Sequence, residues 1–169
     1  SIRQAHQEGV LTGAGLMPGQ DGTEEAIRMA AALPDLEIGW HLHVCDSRPM
    51  TCPWWPWGRS PFAAAIALTL SPAARRLVRA ELSAQWESFQ RSGLRCRFLN
   101  AHHHLHLDPV VGRILEDLVK EPSGIWIRGG RFRRFGSREG RVPALTRMLG
   151  NLRHTFWKPP GGLPTSESV

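Results

Sequence analysis

The chain has 169 residues, of which 41% are hydrophobic and 21% charged, a composition typical of a globular domain with its own core. Its longest apolar run, residues 62–70, is about half as long as a membrane-spanning helix requires. The cysteines Cys45, Cys52 and Cys96 are irregularly spaced, which excludes a disulfide framework and a CxxC zinc ribbon. Free thiols of this kind predict a cytoplasmic protein.

Helix and strand patterns alternate along the chain. A helix over 1–9 and a strand over 10–17 are followed by a helix over 23–33, with Thr23 as its N-cap, and a strand over 36–44. A loop over 46–61 contains four tightly spaced aromatic and proline residues at 54–57. The strongest helix pattern covers 71–91, where Ser71 is a good N-cap and Pro72 suits the first helical position.

The second half of the chain continues the alternation. We predict a strand over 94–107, a helix over 109–120, a short strand over 124–128 and a further helix over 143–152. Residues 1–157 therefore form one α/β domain with a largely parallel sheet, and the Pro-, Gly- and Ser-rich residues 158–169 form a mobile tail.

Six of the eight histidines lie in two short segments, each placed at the end of a predicted strand. Strand alternation puts His41 and His43 on one face, and it puts His102, His104 and His106 on one face with His103 opposite as a bystander. Ligands collect where parallel strands end, and neutral imidazole binds divalent metals well. The two segments therefore predict a metal site, although an isolated histidine is more often a core or surface residue.

The histidine segments also carry a family resemblance. Residues 100–109, NAHHHLHLDP, resemble the D-x-H-x-H-x-H-x-x-P signature of YdjC/ChbG carbohydrate deacetylases, and residues 38–43, IGWHLH, resemble their G-x-H-x-x-L strand. Residues 4–12 are similar to the helix-to-strand passage after the family's first motif. Asn100 and residues 71–76 most resemble the hopanoid-associated HpnK branch.

The resemblance implies a deviant or partial (β/α) barrel that hydrolyses an N-acetyl group from an amino sugar, either a chitooligosaccharide or an N-acetylglucosaminyl hopanoid lipid. It implies His41 and His102 as ligands of a divalent metal, Mg²⁺ by resemblance or Zn²⁺. It further implies His104 as a pocket residue and His106 as a supporting residue or general acid. Arg128 follows a predicted strand and suits either a substrate contact or a structural ion pair.

The family's first motif, an Asp-Asp pair that supplies a metal ligand and the general base, is not found in these residues and would precede Ser1. We therefore expect a segment of the protein before Ser1. The alternative is a catalytically impaired metal- or sugar-binding remnant of the family. A truncated barrel would expose a strand edge, which predicts homo-oligomerisation.

Two further features leave alternatives open. An arginine-rich stretch gives the chain much of its +6 net charge and suits either a solvated loop or, less well, a nucleic-acid contact; its members are Arg128, Arg131, Arg133, Arg134, Arg138 and Arg141. We expect no nucleic acid. The Trp-Trp-Pro-Trp run at 54–57 suits a sugar contact, a peripheral membrane contact or a packed loop.

Overall fold

The structure is a computed structural model that describes residues 1–119 and 125–128. Its strands are β1 (Gly13–Leu16), β2 (Glu37–Leu42), β3 (Cys96–Ala101) and β4 (Trp126–Ile127). Its helices are α1 (Ile2–Gln7), α2 (Thr23–Ala31), α3 (Pro61–Leu70), α4 (Pro72–Arg91) and α5 (Pro109–Leu118), with a 3₁₀ helix at His102–Leu107. The predicted helix over 143–152, the tail over 158–169 and the arginines beyond Arg128 lie outside the described residues.

The four strands form one parallel sheet in the order β1-β2-β3-β4. Helical crossovers connect neighbouring parallel strands, and spatial order follows chain order, as in the successive units of a (β/α) barrel. The sheet confirms the predicted α/β class with a parallel sheet and is compatible with a partial barrel. No helix among the described residues is long and apolar enough to cross a bilayer.

The two faces of the sheet differ in what packs against them. Trp40 and Leu42 are fully buried, and the Trp40 ring packs against Trp86 of α4 at 5.2 Å. On the opposite face of β2, Gly39 lies under the Phe98 ring, and any Cβ at position 39 would collide with that ring. The hydrophobic core therefore lies between the sheet and the helices. The opposite face of the sheet is the face on which Gly39 and His41 lie.

Several predicted elements differ from the observed ones. Thr23 is the first residue of α2 and not its N-cap, because its hydroxyl donates to the Met17 carbonyl at 2.9 Å and accepts from the Gln20 N–H at 2.9 Å. Helix α3 was not predicted. The predicted strand over 94–107 is wrong after Ala101, since the chain turns there into the 3₁₀ helix.

Candidate metal centre and active site

The candidate site lies where β2 and β3 end. His41 is the second-last residue of β2 and pairs in register with Asn100 on β3. His102 follows β3 directly, and the ring centroids of His41 and His102 are 5.9 Å apart in an edge-on arrangement. The structure thus brings together the two histidines that the sequence predicted as metal ligands.

The His41 ring is held in one orientation from two sides. Its Nδ1–H donates to the Asn100 side-chain oxygen at 2.7 Å. Gly15 on β1 leaves room for the ring, because a Cβ at that position would lie 2.9 Å from His41 Cβ. With the proton on Nδ1, the Nε2 lone pair is left for a ligand, and metal-binding histidines are oriented by such a second hydrogen bond.

The surroundings of His41, His102 and His104 favour the uncharged form of each ring. Partial burial lowers the pKa of His41 and His102, and the neighbouring imidazoles lower that of His102 further. Burial also lowers the pKa of His104, and the Arg128 charge adds to this effect. Neutral rings offer lone pairs, so the donor set fits a divalent cation.

His103 is the largest difference from the sequence-based picture. Strand alternation assigned it to the opposite face as a bystander, but its Nε2 lies 3.2 Å from Asp46 Oδ2. The assumption of an extended backbone is wrong here, because His103 and His104 adopt left-handed φ values of 54° and 57°. Asp46, His102 and His103 present ligand atoms that all lie within 4.8 Å of one another.

His106 and Arg128 form a second part of the site. The His106 ring is 1% exposed, and its Nε2–H donates to the Arg128 backbone carbonyl at 2.8 Å. Burial is the main reason that the pKa of His106 falls to about 4. His104 and His106 have ring centroids 6.1 Å apart, whereas the Arg128 side chain is exposed.

His43 does not join the His41 face as predicted. Strand β2 ends at Leu42, and the fully buried His43 ring bonds to the Pro18 carbonyl at 3.0 Å and to the Ser47 hydroxyl at 2.8 Å. Its backbone N–H donates to Gln85 of α4 at 3.1 Å. These contacts make His43 a structural residue.

The tryptophan run divides into packed and exposed residues. Trp55 and Trp57 stack at 5.5 Å, and their ring N–H groups donate to Ser47 and to the Val44 carbonyl. Trp54 is 73% exposed. The packed-loop interpretation therefore holds for Trp55 and Trp57, and only Trp54 remains for contact with a sugar or a membrane.

Comparison with known proteins decides the family. Residues 1–158 match the family described as YdjC-like protein. The chain belongs to this family. Its YdjC-like relatives include a carbohydrate deacetylase of Vibrio parahaemolyticus serotype O3:K6, 34% identical over 122 residues that make up 71% of this chain and 49% of the relative. A carbohydrate deacetylase of Brevibacillus brevis is 33% identical over 122 residues, with the same shares of 71% and 49%.

The chain spans about half the length of the curated relatives it matches. A crystal structure from Enterococcus faecalis V583, named for cellobiose-phosphate cleavage, superposes with a TM-score of 0.55 at 21% identity. The match covers 97% of this chain and 59% of that one. This likeness supports the fold of the YdjC-like chain.

Proposed function

We propose that the YdjC-like protein containing this chain is a metal-dependent carbohydrate deacetylase that hydrolyses the N-acetyl group of an amino sugar. Water adds to the amide carbonyl, the C–N bond breaks, and acetate and the free amine leave. The observation that carries the proposal is the His41–Asn100 hydrogen bond, which leaves His41 Nε2 as a lone-pair donor near the His102 ring. The names of the relatives point to the same reaction class.

His41 and His102 would hold the divalent cation, Mg²⁺ by family resemblance or Zn²⁺. A bound cation of this kind supplies Lewis acidity, which polarises the amide carbonyl and lowers the pKa of water. The chain's own contribution is to keep both imidazoles neutral and oriented, through partial burial and through Asn100.

Substrate contacts fall to His104 and Arg128 in this proposal. His104 lies two residues after His102 and is exposed. The Arg128 side chain is also exposed, and it lies close enough to His104 for its charge to lower the pKa of that ring. A guanidinium offers several N–H donors, which suits sugar hydroxyls or a developing oxyanion.

His106 supports the site from behind. Of its two predicted roles, positioning agrees better with its geometry, because a ring with a pKa of about 4 is uncharged at neutral pH and its one N–H is already bonded to the Arg128 carbonyl, so it has no imidazolium proton to transfer as a general acid. Its hydrogen bond to the Arg128 carbonyl connects the 3₁₀ helix His102–Leu107, called the histidine turn below, to the residue that follows β4. We assign His106 to positioning the turn that carries His102 and His104.

Acetate release from purified protein tests the proposal. The complete protein containing this chain is incubated with N-acetylated chitooligosaccharides and, in a second arm, with an N-acetylglucosaminyl lipid. Release in the first arm alone indicates a soluble sugar, and release in the second alone indicates the hopanoid-type substrate and a membrane contact to which Trp54 would contribute. Homo-oligomerisation stays a prediction from the sequence.

Matched variants sharpen this assay. His41→Gln and His102→Gln are expected to lower acetate release by on the order of a hundredfold or more, because each removes a proposed ligand. His6→Gln is the control and should leave the rate unchanged. His6 lies on α1, and among the described residues its ring bonds only to the Leu11 carbonyl. No acetate from either substrate, or full rates in both ligand variants, would refute the proposal.

A further inference from the structure

Helix α3 presents large apolar side chains on the surface of the chain. Phe62, Ile66 and Leu70 are 39%, 41% and 76% exposed, and they recur every four residues, so that they form one apolar stripe along the helix. None of the ten residues of α3 is charged. Its buried side chains are Ala64, Ala65 and Leu68. Because the exposed face of a helix is normally polar, the apolar stripe predicts that another surface covers it.

The segment around the apolar stripe carries only positive charge. Residues 47–80 contain no aspartate or glutamate, and their arginines are Arg48, Arg59, Arg75, Arg76 and Arg79. The Arg75 guanidinium lies at the carboxyl end of α3, because it donates to the Leu68 carbonyl at 2.8 Å and to the Thr69 carbonyl. Arg75 and Arg76 form no ion pair within residues 1–119 and 125–128, whereas the other three arginines pair with carboxylates outside the segment.

An exposed indole precedes the helix. Trp54 is 73% exposed and lies in the loop between β2 and α3. Indole rings favour the boundary between lipid headgroups and acyl chains. Helix α3 also packs against the histidine turn, so a surface that covers α3 would lie beside the histidine site.

Charge and area distinguish between the candidate occupants of this surface. A second copy docked through it would bring its own arginines close to those of the first, which like charges disfavour. The exposed parts of the four apolar side chains amount to on the order of 400 Å², about half of the ~800 Å² per partner of a stable protein interface. A bilayer has no such requirement, since apolar side chains enter its acyl boundary while guanidinium groups bind lipid phosphates.

We propose that the apolar stripe of α3 docks the protein on the surface of an anionic lipid bilayer. The stripe enters the acyl boundary, Arg75 and Arg76 bind lipid phosphates, and Trp54 lies at the level of the headgroups. The contact is peripheral, because the ten residues of α3 are about half of what a spanning helix needs. This inference goes beyond the proposed deacetylase activity and does not depend on it.

Vesicle flotation with the complete protein that contains this chain tests the proposal. Vesicles of equimolar phosphatidylcholine and phosphatidylglycerol are compared with vesicles of phosphatidylcholine alone. The protein should float with the anionic vesicles and bind the neutral ones several-fold more weakly. High salt should release it from the anionic vesicles, because the contacts between arginine and phosphate are screened.

Variants of the apolar stripe test its part in the contact. Ile66→Gln combined with Leu70→Gln is expected to weaken binding to the anionic vesicles by on the order of tenfold or more, because two apolar side chains are lost from the acyl boundary. Val10→Gln is the matched control and should bind like the parent. Val10 is 97% exposed, but it precedes β1 at the amino end of the sheet, whereas α3 packs against the histidine turn at the carboxyl end.

A charge variant tests the arginines without altering the stripe. Arg76→Gln should bind the anionic vesicles about fivefold more weakly, the usual effect of one arginine near an anionic surface, and should bind the neutral vesicles like the parent. Arg3→Gln on α1, also exposed, is the control and should not change binding. Circular dichroism checks that each variant is folded, and Arg76→Gln decides the proposal where the stripe variant is not.

Four results would overturn the proposal. The first is no flotation of the parent protein with the anionic vesicles, and the second is parent-like binding by the folded stripe variant or by Arg76→Gln. The third is a dimer in light scattering that Leu70→Gln dissociates, which would assign the stripe to a second copy. The fourth is a stripe variant that loses stability in urea without vesicles, which would show that another part of the protein covers α3. Acetate release decides the deacetylase activity separately.

Discussion

Asn100 occupies the position where the family signature has an aspartate, and its amide oxygen accepts the His41 Nδ1–H at 2.7 Å. An amide is no base, but its carbonyl oxygen accepts a hydrogen bond as a carboxylate does. The substitution therefore preserves the contact that fixes the His41 tautomer. It is compatible with a working cation site.

Replacing Asn100 tests this view of the His41 tautomer. Asn100→Leu keeps the size and removes the acceptor, so cation affinity should fall by about 10- to 100-fold, the usual effect of losing such an outer contact. Asn100→Asp retains an acceptor and should bind within a few-fold of the parent chain. Calorimetry with Zn²⁺ measures both. Parent-like affinity in Asn100→Leu would show that the hydrogen bond does not orient His41.

His106 predicts a pH dependence of stability. Its pKa is lowered to about 4 in the folded chain, so between pH 6.5 and 4 the unfolded chain binds the extra proton and stability falls as the pH falls. The contribution lost across this window is up to about 3 kcal/mol. Urea unfolding at pH 7 and pH 5 should show a smaller drop in His106→Gln than in the parent. Equal drops would contradict a buried neutral ring.

At the scale of the elements, local signals predicted α4 correctly. They predicted a strand at residues 102–107, where the structure has the 3₁₀ helix His102–Leu107. Ser71 accepts the Ala74 N–H at 3.2 Å, as its N-cap pattern indicated. The alternating histidines indicated a strand, but left-handed φ values at His103 and His104 end it. Glycine or asparagine is the usual sign of that conformation, and neither is present at these two positions.

Helix α3 was missed for a different reason. Its residues are apolar almost throughout, so they show no amphipathic period. The signal that was available is Ser60 followed by Pro61, the same cap and first-turn pattern that marked α4. Ser60 does accept the Ala63 N–H at 3.1 Å.

The loop that carries Asp46 is fastened to α4 by a buried carboxylate. Glu81 is fully buried and accepts from the Met50 N–H, the Thr51 N–H and the Thr51 hydroxyl at 2.7 to 2.9 Å. Gln85, one turn later, donates to Glu81 at 2.9 Å and to the His43 carbonyl at 2.8 Å. Helix α4 thus holds the loop on both sides of Asp46, at His43 and at Met50 and Thr51.

Glu81→Gln is expected to destabilise the chain by about 2–3 kcal/mol, because an amide NH₂ would face backbone N–H groups that need an acceptor. Glu87→Gln on the same helix is the control. Within residues 1–119 and 125–128, the contact of Glu87 is an exposed pair with Arg91 at 3.8 Å, and its loss should cost less than about 0.5 kcal/mol. Urea unfolding compares the two, and equal stabilities would contradict the role of Glu81 as the anchor of the loop.

At the scale of the whole molecule, the sequence predicted the parallel sheet and the meeting of His41 with His102. Both follow from strand ends that lie side by side, a rule that requires only the order of elements. The contact of Asp46 with His103 joins a loop to a turn across 57 residues, and neither conformation has a local signal. Such a contact depends on the packed structure.

The chain spans about half the length of the curated carbohydrate deacetylases it matches. The deacetylase activity is our proposal for the protein that contains this chain. The most direct test of a metal-dependent deacetylase is acetate release by that protein after chelation and after return of a divalent cation. We predict that chelation abolishes release, that the cation restores it in the parent, and that it does not in His41→Gln with His102→Gln. Undiminished release from the chelated parent, or restoration in the double variant, would contradict the account.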